Sequence, residues 1–97
     1  MRIEFDPLKN ERNIAERGIS FESADVFEWE TARVIEDTRR NYGERRYRAI
    51  GMIMERLHAM VITPRQDGIR VIRLRKANRR EKRLYEETTE AGKDRHP

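Results

Sequence analysis

The segment RYRAIGMIMERLHAMVITPRQDGIRVIRLR, residues 46–75, decides how this chain folds. From Arg46 to Met54 it is apolar enough for a buried strand, and two-residue alternation puts Arg46, Arg48, Ile50 and Met52 on one face. A tight turn at Glu55-Arg56 leads into a second strand, Leu57 to Thr63. Asp67-Gly68 predicts a hairpin, because a type I′ turn needs positive φ at both central residues. The third strand then runs from Ile69 to about Arg75. Alternation sends Val71, Arg73 and Arg75 one way and Arg70, Ile72 and Leu74 the other. With Ile72 and Leu74 facing helices, Arg73 and Arg75 stand on the open face of the sheet.

Upstream, Arg2 to Phe5 alternates as a short strand. Asp6 caps a helix that starts with Pro7 and stops at Gly18. Ser20 caps a second, short helix, in which Phe21, Ala24 and Phe27 share a face. Thr31 to Asp37, with Val34 and Ile35, suits a strand, and Asn41-Tyr42-Gly43-Glu44 a turn. Downstream, Asn78 and Glu81 have the spacing of a capping box. Leu84, Thr88 and Ala91 continue a helix that Gly92 ends, leaving a frayed tail from Lys93 to Pro97. The expectation is a single α+β domain over residues 1–92. It has a short first strand, an antiparallel meander of three or four strands, and helices packed on one sheet face: the N-terminal pair and a C-terminal helix.

Composition narrows the classes. Charged residues make up 41% of 97, and mean hydropathy is -1.02. No apolar run is long enough for a membrane span, and the absence of Cys excludes a disulfide scaffold. The start MRIEFDPLKN lacks the apolar stretch of a secretory signal, so the expected location is cytoplasmic. Two isolated histidines, His58 and His96, make no metal site, and no cofactor is expected.

The net charge of +4 hides a local excess. Between Arg65 and Arg83 stand nine basic residues and two acids, Asp67 and Glu81. The plainer account is a solvated surface laced by i,i+4 pairs such as Arg83 and Glu87. Against it, Arg79 and Arg80 sit at the positive end of the last helix and Glu86, Glu87 and Glu90 towards its negative end, which opposes the helix dipole. Local rules broken in this way tend to mark functional sites. Guanidinium forks on a rigid sheet suit a nucleic-acid backbone. Phe27, Trp29, Met52, Met54 and Met60 are many large apolar groups for so thin a core, and they serve either as that core or as a partner interface.

The order of short motifs resembles the BrnT family of type II toxin–antitoxin toxins, within the wider RelE/ParE-like group. The matching pieces are Phe5-Asp6 with Lys9 and Asn13, Arg17 to Phe21 with Ala24 and Val26-Phe27, and Gly43-Glu44-Arg46 with Ile50-Gly51. They continue through Thr63-Pro64-Arg65, Arg70-Val71-Ile72, Arg75-Lys76-Ala77, Arg79-Arg80-Glu81 and Tyr85-Glu86. The chain departs from the family at Glu16-Arg17, where Lys-His is usual, and at Arg73-Leu74, where small residues are usual. Arg73 therefore rests on strand geometry alone.

The resemblance implies a RelE-like fold and RNA cleavage that inhibits translation. It also implies a cognate antitoxin, a small DNA-binding protein whose complex with the toxin represses its own operator DNA. RNA can be cut without metal when its 2′-OH attacks the adjacent phosphate. In that chemistry Arg65, Arg75 and Arg79 stabilise the phosphorane. Tyr85, Glu81 or Glu44 carry protons, with His58 as a substitute. Arg73, Lys76, Arg80, Arg46 and Glu44 contact the substrate. Two other classes compete: a non-catalytic nucleic-acid-binding module and a gyrase-directed toxin.

Overall fold

The computed structural model describes residues 1–94, with side chains through residue 87. The order is β1 (Arg2–Glu4), α1 (Pro7–Arg17), two 3-10 turns (Phe21–Val26 and Trp29–Thr31), β2 (Arg33–Glu36), β3 (Tyr47–Ile53), β4 (Arg56–Arg65), β5 (Gly68–Lys76) and α2 (Arg79–Asp94). The fold is α+β, built on one five-stranded sheet of order β1-β5-β4-β3-β2.

The local signals at helix ends act as the sequence suggests. Asp6 accepts from the Leu8 amide, and Gly18 closes α1 in the left-handed region at φ 69°. Ser20 caps the next segment, which forms a 3-10 turn and not an α-helix. The three-residue spacing of Phe21, Ala24 and Phe27 is the 3-10 repeat itself. Asn78 and Glu81 bond each other's backbone amides, both at 2.9 Å, to start α2. That helix passes through Gly92 to Asp94, because an interior glycine weakens a helix by about 1 kcal/mol without stopping it. The expected tail falls where side chains are not described, and residues 95–97, including His96, lie outside the described residues.

The sheet departs from expectation in four respects. First, the short N-terminal strand joins the meander at its β5 edge and runs parallel to it, so the five-stranded sheet is mixed. The β4–β5 turn centres on Gln66-Asp67, and Gly68 begins β5 without positive φ. The glycine is required for a different reason: a Cβ there would overlap the Arg2 carbonyl of β1. The β3–β4 turn centres on Met54-Glu55, one residue earlier than expected.

Fourth, β5 carries a bulge. Ile62 pairs with Val71 but Val61 pairs with Arg73, so the ladder skips Ile72. One extra residue reverses the alternation. Val71 and Leu74 therefore face the same core, both nearly fully buried, while Arg70, Arg73 and Arg75 share the opposite face. The predicted grouping of Val71 with Arg73, and of Arg70 with Leu74, is thereby corrected.

The main core lies between the sheet and the N-terminal segment. Phe21, Ala24 and Phe27 cover Ala49, Ile53, Met60, Ile62, Val71 and Leu74. Trp29 meets Phe27 edge-on at 4.7 Å. Helix α1 docks through amides: Asn13 donates to the Ile19 and Leu74 carbonyls, and Asn10 accepts from the Phe21 amide. On the opposite face Ile50 and Ala59 are buried, and α2 packs against β3 and β2. Helices thus flank both faces, not one.

Candidate nucleic-acid interface

Register places Arg48, Val61 and Arg73 in one row across the α2 face, and Ile50, Ala59 and Arg75 in the next. Arg75 donates two hydrogen bonds to Glu81, at 2.7 and 2.9 Å. Glu81 is only 4% exposed. Burial pushes its carboxyl up, but the bonds from Arg75 and the Asn78 amide, with the charges of Arg75 and Arg48, outweigh this and hold it below the ordinary value. Arg75 is raised in turn, chiefly by its bond to Glu81. Glu81 is an ionised clamp that orients Arg75. Beside it in the sheet, the Nε of Arg48 is buried without a hydrogen-bond partner.

Beside the bulge, a pocket of about 500 Å³ lies between β4, β5 and the loop that joins β2 to β3. Val61 and Ile72 form its apolar part, and Asp37, Arg39, Arg40, Arg46, Arg73 and Tyr42 its polar part. Asp37, 5% exposed, organises the loop. It accepts from Arg39 Nε at 2.9 Å, Arg39 Nη2 at 2.8 Å, the Arg39 amide at 3.2 Å and the Tyr42 hydroxyl at 3.2 Å. The Arg39 guanidinium holds the Asp37 carboxyl far below the carboxylate range against the opposing effect of burial. The Arg39 pKa rises for the same bond. Gly43, at φ 73°, and its bond to Asn41 Oδ1 turn the loop back towards β3. The Arg46 guanidinium lies over the Tyr42 ring, 4.2 Å from its centroid.

A profile described as the ribonuclease toxin BrnT of type II toxin–antitoxin systems matches residues 5–81. The chain belongs to the BrnT family. No curated protein matches it. As a BrnT toxin it has RNA as its substrate class and an antitoxin as its partner. The match contains the pocket and the Arg75–Glu81 pair and ends before Tyr85. No helix among the described residues is long and apolar enough to cross a membrane.

The ten residues singled out in this BrnT sequence fall into four neighbourhoods. Arg46 and Arg73 line the pocket, and Arg75 with Glu81 stands beside it at the start of α2. Arg65 and Glu44 lie towards the far end of the sheet, where Arg65 approaches Glu44 at 3.7 Å and Glu4 at 3.9 Å. Glu44 also pairs with Arg46 at 3.3 Å, linking that cluster to the pocket. Arg79 and Arg80 line a separate shallow groove on α2 with Arg83. Lys76 and Tyr85 line another, of about 490 Å³, with Met52 and Leu57. His58 is buried on the other sheet face, its Nδ1 2.8 Å from the Arg56 carbonyl oxygen. Sequence reading missed Asp37, Arg39, Arg40, Tyr42 and Arg48. One signal was present: Asp37 stands two residues before Arg39, the spacing at which an aspartate caps its own turn.

Proposed function

We propose that the chain is a metal-independent endoribonuclease toxin that inhibits translation and is neutralised by a cognate DNA-binding antitoxin. The observation that carries this reading is the placement of Arg73 and Arg75 on one sheet face, beside an arginine-lined pocket, within a BrnT chain. Preorganised cations are often what stabilises a developing anion most. Here Arg75, held by Glu81, takes the scissile phosphate, while Arg73 and Arg46 hold the backbone beside it. Arg79, Arg80, Lys76 and Arg65 extend the positive surface, with Glu44 orienting Arg65 and Arg46.

In the proposed reaction the 2′-oxygen bonds to phosphorus and the bond from phosphorus to the 5′-oxygen breaks. The products are a 2′,3′-cyclic phosphate and a 5′-hydroxyl. One proton leaves the 2′-OH and one reaches the 5′-oxygen. Tyr85 is the proton-transfer candidate, because the Glu81 carboxylate is engaged by Arg75 and Asn78.

Purified protein incubated with RNA tests this. Cleavage continues in EDTA, and Arg75→Ala with Arg79→Ala lowers it by about a hundredfold or more. An inactive wild type, or equal cleavage by the double variant, overturns the nuclease reading. A gel shift with intact RNA supports the binding module instead. Growth arrest on expression, relieved by co-expressing the neighbouring small gene product, tests the antitoxin.

A further inference from the structure

We propose that the pocket beside Ile72 is a phosphate subsite for a single-stranded nucleic acid, distinct from the scissile position at Arg75, and that Asp37 positions its Arg39 fork. The subsite rests on the ribonuclease reading and adds to it a second point of substrate contact.

A guanidinium has five N–H donors in one plane. Asp37 takes the Nε hydrogen and one Nη2 hydrogen of Arg39. One Nη1 hydrogen and the second Nη2 hydrogen form the end edge of the plane, away from the edge that Asp37 holds. That edge matches two oxygens of a phosphate. The Arg39 side chain is 63% exposed and lines the pocket, whereas the Asp37 side chain is 2% exposed. Asp37 is part of the pocket wall, but its carboxylate is neutralised by Arg39 and Tyr42 and presents little surface to an incoming phosphate, whereas Arg39 stands out into solvent.

The same carboxylate accepts from Tyr42, whose ring carries the Arg46 guanidinium. Two pocket arginines are thus fixed before any ligand arrives, and little side-chain freedom is lost on binding. Arg73 borders this pocket and stands two residues from Arg75, about 7 Å along the strand. That step resembles the one between successive phosphates of an extended strand. Val61 and Ile72 offer an apolar surface to a sugar or base between them. Evenly spaced anions joined by apolar units describe a nucleic acid better than an acidic protein segment.

Binding of a short, fully 2′-O-methylated RNA tests the subsite, because that RNA cannot be cut by its own 2′-oxygen. Fluorescence anisotropy is recorded over a salt series with the whole chain. Arg39→Gln keeps a donor for Asp37 but loses the charge and fork. It raises Kd about tenfold and makes the log–log salt slope shallower by about 0.7, one single-strand phosphate contact.

Asp37→Asn separates positioning from charge. It removes a negative charge, so bulk electrostatics alone predicts tighter binding; loss of the fixed fork predicts weaker binding, which is the expected result. Should Asp37→Asn fail to fold in a thermal melt, Arg39→Gln decides alone.

Tighter binding by folded Asp37→Asn, or an unchanged slope in Arg39→Gln, overturns the subsite. If Arg39→Gln binds RNA normally while Arg75→Ala abolishes cleavage, the subsite falls and the ribonuclease reading stands. If the wild type neither binds nor cuts RNA, both fall. If Arg39→Gln keeps RNA binding but loses the antitoxin complex, the pocket is a protein-docking site and the proposal is wrong.

Discussion

Glu81 binds Arg75 through both carboxylate oxygens and, with the same side chain, closes the capping box on Asn78. One nearly buried carboxylate thus joins the end of β5 to the start of α2. It makes the orientation of a proposed phosphate-binding arginine depend on the integrity of a helix cap.

Glu81→Ala removes the cap and leaves Arg75 without its anion. The expected loss is about 2–3 kcal/mol, below the full cost of breaking a buried pair because Arg75 is partly solvated. Urea denaturation measures it. A loss under about half a kcal/mol would show that the clamp contributes little to folding.

Asp37 and Glu81 are both held below their ordinary carboxylate values. Their contribution to stability is fully present above the unfolded values of about 3.9 and 4.3. It disappears as pH falls through the lower folded values. Stability is therefore expected to be flat in these groups from about pH 5 to 8 and to drop below about pH 4. Asp37→Asn flattens that acid limb in denaturation curves measured at each pH; an unchanged limb contradicts the assignment.

Gly68→Ala drives a Cβ into the Arg2 carbonyl and separates β1 from β5. A cost of about 1–3 kcal/mol is expected. In a chain lacking residues 1–4 the same substitution becomes close to neutral. Comparing the two denaturation midpoints tests whether close approach, and not turn geometry, requires this glycine.

Met54 occupies the β3–β4 turn at φ 55° and is 74% exposed. A left-handed backbone costs a non-glycine residue roughly 1–2 kcal/mol, and glycine relieves it at some entropic cost. Met54→Gly is expected to stabilise the chain by about 0.5–1 kcal/mol. A lower melting temperature would mean that Met54 makes contacts its exposure conceals.

Deletion of Ile72 takes out the residue that the ladder skips. Val71, Arg73, Leu74 and Arg75 keep their faces, so the far-ultraviolet circular dichroism spectrum is expected to persist. The pocket loses part of its apolar surface, and any RNA affinity that depends on it falls. An unfolded deletion variant would show that the bulge is required for folding itself.

What the sequence alone determined is local. Asp6, Gly18, Ser20 and the Asn78–Glu81 pair act within a few residues of themselves, so their spacing carries the whole interaction. The strand-forming character of residues 46–75 is equally local, because it rests on apolar runs and alternation.

The tertiary structure decided which faces and which partners. The skip at Ile72 exists only in the pairing of β5 with β4, and it moves Arg73 and Arg75 away from Val71. The role of Gly68 depends on β1, far away in the chain. The pocket joins a loop around Asp37 to a bulge beyond residue 70. Register sets all three, and register is a property of two strands together: a shift of one residue turns every side chain to the other face.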